Sequence, residues 1–221
     1  MKTKKAISFE LNNRLTDEQL IIIGHLTYHA GKLWNQANYL IQNKLAKPLY
    51  KDLYHKLKDS SVNLRSLHSR SAQIILDELS RAWNNFFNFL KSPESYKKKG
   101  VEFVKPPKYQ NPNLPHRTIT WDKTGFKIVG SVIRLSLSKS LKEYLKSKFK
   151  IETDYLWIDT GYKRLKELRV LNIQLVPYKA YGHLSYKLVV IYEEAIPKVE
   201  VKGSRVLAID YGINNFATCI V

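Results

Sequence analysis

The apolar residues of this chain change their period once. Five prolines and a glycine mark the change: Pro93, Gly100, Pro106, Pro107, Pro112 and Pro115. Upstream of them the period is helical. Thr16-Asp17-Glu18-Gln19 reads as a capping box, with Thr16 as N-cap and Gln19 at the third helical position. Ile23, Leu26, Ala30, Leu33, Ala37 and Leu40 follow at steps of three and four, which predicts a helix to about Asn43. Leu49 to Leu57 reads as a short helix after Pro48. Ala72, Ile75, Leu79, Ala82, Phe86 and Phe89 predict a second long helix over 67–90. Downstream the period is two: Ile133, Leu135 and Leu137; Leu171, Ile173 and Leu175; Leu184, Tyr186, Leu188, Val190 and Tyr192. A pattern of period 3.6 does not serve as a strand, nor the reverse. The chain is therefore expected to be α+β, with helices first and antiparallel strands after. Lys4 to Leu11 reads as an opening strand, 138–149 as a short helix between strands, and Pro177 to Gly182 as a hairpin turn. Residues 117–196 are expected to close into a small antiparallel barrel or sandwich.

The charge is as uneven as the hydropathy. Lys and Arg number 37 against 19 Asp and Glu, a net +18. Residues 91–150 carry +11 of it. Within the proline-broken stretch lie Lys97, Lys98, Lys99, Lys105, Lys108 and Arg117, interleaved with Tyr96, Phe103, Tyr109 and Trp121. Lysines neutralise phosphates and release counterions, and aromatic faces stack on bases, so this segment is a candidate nucleic-acid contact. The same composition also describes a solvated basic loop that keeps a protein soluble. The polar side of the second long helix adds Arg70 and Gln73 as candidates, and the far side of the first carries Trp34, Asn35, Gln36, Asn38 and Tyr39. A hydrophobic share of 44% excludes a wholly disordered basic tail. The single cysteine, Cys219, excludes an internal disulfide and any multi-cysteine zinc site. No apolar run approaches the ~20 residues of a membrane span, and no greasy stretch follows the basic N-terminus, so a cytoplasmic protein is expected, with no membrane partner.

One short segment carries chemistry. Val206-Leu207-Ala208-Ile209-Asp210 reads as an apolar strand ending in an acid, followed by Tyr211-Gly212 and a returning strand. A stiff strand that delivers a carboxylate at its end suits the hard-oxygen shell of Mg²⁺, and phosphodiester hydrolysis by two metals needs several such acids around two ions about 3.5–4 Å apart. Asp210 is the candidate catalytic and metal-holding residue. The same three residues also make an ordinary turn, in which an Asp caps its own backbone.

Taken together, Tyr28-His29-Ala30-Gly31-Lys32-Leu33-Trp34-Asn35, Ala72-Gln73 leading to Arg81-Ala82-Trp83-Asn84-Asn85-Phe86-Phe87, the Lys97-Lys98-Lys99 tract and Ala208 to Ala217 resemble the N-terminal portion of the TnpB (OrfB) family. These are the RNA-guided nucleases of insertion sequences, related to compact type V CRISPR effectors. The resemblance implies a helical recognition domain inserted in a wedge β-barrel, followed by a RuvC-type, RNase H-like nuclease domain. On this chain it implies a first wedge strand at 1–12, the recognition domain at 13–92, basic linker and wedge barrel at 93–202, and the start of the nuclease domain at 203–221. It implies guide RNA and target double-stranded DNA as partners and Mg²⁺ as the cofactor. It also puts Gln73 near the duplex motif adjacent to the target, where an amide reads adenine; a solvated helix glutamine fits the same position. The family's further Glu, Asp and cysteine ribbon have no counterpart in the 11 residues after Asp210. The expectation is a truncated member that binds nucleic acid and does not cut on its own, its missing C-terminal half supplied by a full-length protein. The alternatives are a non-cleaving RNA-guided repressor or assembly subunit, and a basic RNA-associated structural protein.

Overall fold

The computed structural model describes residues 2–11, 14–98 and 100–195, together with the strands Ala208–Asp210 and Thr218–Ile220. Strand β1 (Lys2–Glu10) leads into helix α1 (Asp17–Gln42). Thr16 caps α1 reciprocally: its Oγ1 accepts from Gln19 N at 3.2 Å, and Gln19 Oε1 accepts from Thr16 N at 2.8 Å. Helices α2 (Tyr50–Leu57) and α3 (Val62–Arg65) follow, then the long α4 (Ser69–Lys91) and the short α5 (Pro93–Lys97). The three-four stripes on α1 and α4 face inward: Ile23, Leu26, Ala30, Leu33, Ile75 and Leu79 are all buried.

After α5 the chain runs without regular structure to β2 (Ile119–Asp122). Then come β3 (Phe126–Val129), β4 (Val132–Ser136), helix α6 (Lys139–Phe149), β5 (Tyr155–Asp159), a 3₁₀ turn at Lys163–Glu167, and the long hairpin β6 (Arg169–Ala180) and β7 (His183–Ala195). The fold is thus α+β with antiparallel strands, as the periods predict. The barrel is a correction. The described strands of this region make two open sheets, ordered β1-β7-β6-β2 and β3-β4-β5. The consecutive strands β2 and β3 fall in different sheets, parted by a tight turn in which Asp122 O accepts from Gly125 N at 2.9 Å. That break opens two edges where a barrel has none.

The hairpin turn is also narrower than its sequence suggests. Only Tyr181 and Gly182 lie between the paired residues Ala180 and His183. Both have positive φ, 49° and 82°, as a two-residue I′ turn requires. Pro177 belongs to β6, opposite Tyr186 and beyond Leu175, where β2 stops pairing. There β6 has a neighbour on one side only, the place in a sheet where a missing N–H is tolerated.

Residues Lys4–Glu194 form one compact unit. A single apolar cluster runs through it, from Leu26 and Leu79 of the helices to Ile133, Leu156, Ile173 and Leu188 of the two sheets. The helices and strands expected as separate recognition and wedge domains therefore share a core. A second unit comprises Met1–Thr3 and Ala195–Val221. In it, β8 (Ala208–Asp210) pairs antiparallel with β9 (Thr218–Ile220), with Asp210 opposite Thr218.

Candidate nucleic-acid interface

The proline-broken stretch is a strap fastened across α1, and its fastening decides which side chains are left for a ligand. Backbone carbonyls of the strap have no strand or helix to join, so they need side-chain donors. The polar far side of α1 supplies them. Trp34 Nε1 donates to Lys108 O at 2.9 Å, Asn38 Nδ2 to Pro107 O at 3.1 Å, and Asn35 Nδ2 to Gln110 O at 2.9 Å. Asn35 also accepts from Gln110 N at 2.7 Å. Further along, Arg117 N donates to Thr27 O at 3.0 Å, and His116 Nδ1 lies 2.8 Å from Thr27 Oγ1. Asn38 is itself fixed from behind, accepting from Trp83 Nε1 at 2.8 Å. At Gly31 the strap passes so close that an added Cβ would fall inside the Pro115 carbonyl. The amides and indole that looked unassigned on the helix surface are thus the strap's anchors.

With its backbone pinned, the strap turns its charged and aromatic side chains outward. Phe103 is 64% exposed and Tyr109 42%, and Lys98, Lys105 and Lys108 are exposed as well. Lys105 Nζ stands 6.0 Å from the Phe103 ring centre. Phe103, Lys105, Pro107, Lys108 and Tyr109 line one recess together with Gln42 of α1. Tyr109's hydroxyl is held above its ordinary pKa, first by partial burial and then by the neighbouring Tyr39, so it stays a neutral donor at pH 7. Tyr39, also exposed, extends the same aromatic surface from the helix side. None of the three lysines makes an ion pair among the described residues. Lys97 does: Glu94 Oε1 lies 3.0 Å from its Nζ, one turn back on α5. Lys99 lies outside the described residues.

Two expected contacts are committed inside the fold. Arg117 forms an ion pair with Glu78 Oε2 at 2.9 Å and stacks 3.7 Å above the Trp34 ring, so it clamps the strap to α1 and α4 and is not open to a phosphate. Trp121 is fully buried in β2 and donates to Ser136 O at 3.0 Å; it is core and presents no stacking face.

Arg70 and Gln73 come together at the start of α4. Arg70 Nη1 donates to Gln73 Oε1 at 3.1 Å, and Arg70 Nε to Asp122 Oδ2 at 2.9 Å. Burial alone would raise the Asp122 carboxyl, but hydrogen bonds from Thr124 and Arg70 outweigh it and hold the group below its ordinary value. The ion pair ties α4 to the β2–β3 turn. A bidentate grip on adenine uses both ends of an amide. In this structure the carbonyl end of Gln73 is already engaged by Arg70, so the two residues present themselves as one unit.

Asp210 is the last residue of β8, where the sequence puts it, and its side chain lies outside the described residues. Among the described residues no group of three His, Cys, Asp or Glu comes together to hold a metal ion. The described residues therefore do not by themselves fit a Mg²⁺ centre. Among them, too, no helix is long and apolar enough to cross a membrane. No family model and no curated protein matches the chain.

Proposed function

We propose that this chain is the nucleic-acid-gripping part of an RNA-guided DNA endonuclease of the TnpB type, which holds guide RNA and target DNA on a fixed cationic surface. The observation that carries the reading is the pinned strap. Its backbone is anchored by Trp34, Asn35 and Asn38, while Lys105 and Lys108 line one recess with the exposed rings of Phe103 and Tyr109, and these two lysines and the exposed Lys98 make no ion pair among the described residues. A basic loop that only conferred solubility would have no need of such side-chain anchors. A surface that must meet a phosphate backbone does, because ordering the loop in advance removes that entropy cost from binding. Delegating sequence to base pairing leaves the protein to grip backbone and shape, which lysines and stacked rings do without a base code. On this reading the Arg70–Gln73 unit faces the duplex motif beside the target. Asp210, the last residue of β8, is on this reading one of the acids that hold Mg²⁺ in a nuclease of this type.

The test is the salt dependence of binding to single-stranded RNA and to duplex DNA. Changing Lys98, Lys105 and Lys108 together to Gln is expected to weaken binding and to lower the slope of log K against log salt by up to about 2–3 ions, roughly one for each phosphate no longer neutralised. RNA that co-purifies with the wild-type chain, extracted and sequenced, is expected to be one defined guide. An unchanged slope, or a purified chain free of RNA and indifferent to DNA, refutes the reading.

A further inference from the structure

A second aromatic surface has none of the strap's lysines in its lining. A groove of about 730 Å³ opens between α1, α3 and α6, a size within the ~300–1,000 Å³ typical of ligand sites. At its centre three rings meet edge to face. His25 lies 5.0 Å from Tyr144 and 5.5 Å from Phe149, each at 68°, and Tyr144 lies 5.9 Å from Phe149 at 69°. Tyr144 and Phe149 are exposed, as are Leu20, Tyr28 and Val62 around them, so the groove gathers a contiguous apolar patch of the kind that marks a binding site.

The lining narrows the choice of occupant. Of its twelve residues six carry aromatic rings and none is acidic. His29 and His116 use Nδ1 internally, toward Asn63 Oδ1 at 2.9 Å and Thr27 Oγ1 at 2.8 Å. Their Nε2 atoms have no hydrogen-bond partner among the described residues and remain for a ligand's polar edge. Cations adjoin two of the lining rings. Lys32 Nζ is 5.4 Å from the Tyr28 ring centre, and the exposed Lys148 and Lys150 precede and follow Phe149 in the chain without an ion pair among the described residues. An apolar peptide helix would find rings where aliphatic pockets serve it better, and it has no use for the lysines. A flat heteroaromatic ring carried on a polyanion matches both.

We propose that the groove takes one splayed nucleobase of a bound single strand, stacked against His25, Tyr144 and Phe149, with the flanking phosphates met by Lys32, Lys148 and Lys150. This rests on the nucleic-acid reading above and deepens it: a position on the strand is held by its base as well as its backbone.

The experiment compares a short fluorescein-labelled oligonucleotide of thymidines with an abasic strand of the same length, by fluorescence anisotropy on the full chain. Wild-type protein is expected to bind both, and the base-bearing strand more tightly. Tyr144→Ala is expected to reduce affinity for the base-bearing strand by about 5- to 150-fold, the weight of one stacked base, with less than about a twofold change on the abasic strand. Tyr144→Phe keeps the ring and restores the difference. Ser140→Trp, which fills the groove from α6, gives the same selective loss and serves should Tyr144→Ala fail to fold. Equal losses on both strands, or none, overturn the base site while leaving the cationic surface standing. Wild-type protein that binds neither strand overturns both.

Discussion

Gly31→Ala is the substitution on which local and tertiary arguments disagree most. In an exposed helix interior, replacing Gly by Ala stabilises by about 0.5–1 kcal/mol. At Gly31 the new Cβ meets the Pro115 carbonyl well inside the 3.0 Å that real Cβ atoms keep, and the obstacle is backbone, not the tip of a flexible side chain. The strap must retreat by on the order of 2 Å to restore ordinary contact. The anchors nearest Pro115 are Arg117 N to Thr27 O at 3.0 Å and His116 to Thr27 at 2.8 Å. Losing both costs about 1–3 kcal/mol, overpacking adds about 1–3, and the helix gain offsets up to about 1. The net expectation is a loss of about 1–5 kcal/mol, or a Tm lower by roughly 2–20 °C in a chain of this size. Gly24 sits in the same helix, yet its Cβ would meet only the Tyr186 hydroxyl at 3.9 Å, so Gly24→Ala is expected to be neutral or stabilising. The assay is thermal and urea unfolding of both variants, with amide exchange to locate the change. Faster exchange at Arg117 in Gly31→Ala alone is expected. Equal stability of the two variants would refute the account of the strap as a segment clamped against α1.

Tyr181 is 102% exposed and held at φ 49°, a conformation that asparagine tolerates better. Tyr181→Asn is therefore expected to stabilise by about 0.5–1 kcal/mol, a Tm rise of roughly 1–4 °C; a lower Tm would mean that the ring packs on the folded chain instead of standing in solvent. Burial holds the imidazoles of His25, His68 and His116 below their ordinary 6.5, helped at His25 by the charge of His29 and opposed at His68 by Asp122. The unfolded chain therefore takes up more protons as pH falls through 6.5, so the denaturation midpoint at pH 5 is expected below that at pH 7.5. Coincident midpoints would show that these rings are as solvated folded as unfolded.

The elements were legible in the sequence because their causes are local. The Thr16–Gln19 capping box, the three-four stripes of α1 and α4, and the alternation along β4, β6 and β7 each depend on neighbours a few residues away. β2, β3 and α3 span four residues each, too short for a period to declare itself. Whether the strands close into a barrel is not a local matter either, since it turns on the break between β2 and β3.

The candidate surface divides along the same line. Composition alone concentrated positive charge and aromatic rings in one proline-broken stretch, and a strand ending in Asp210 was readable from its own residues. Which of those groups are available was decided only in three dimensions. Arg117 and Trp121 look like Lys105 and Phe103 in the sequence, yet Glu78, 39 residues away, takes the first, and β2 buries the second. Trp34 and Asn35 find their acceptors 74 and 75 residues along the chain. A residue's type fixes what it is able to bond; chain folding alone brings the partner that uses up that capacity or leaves it open.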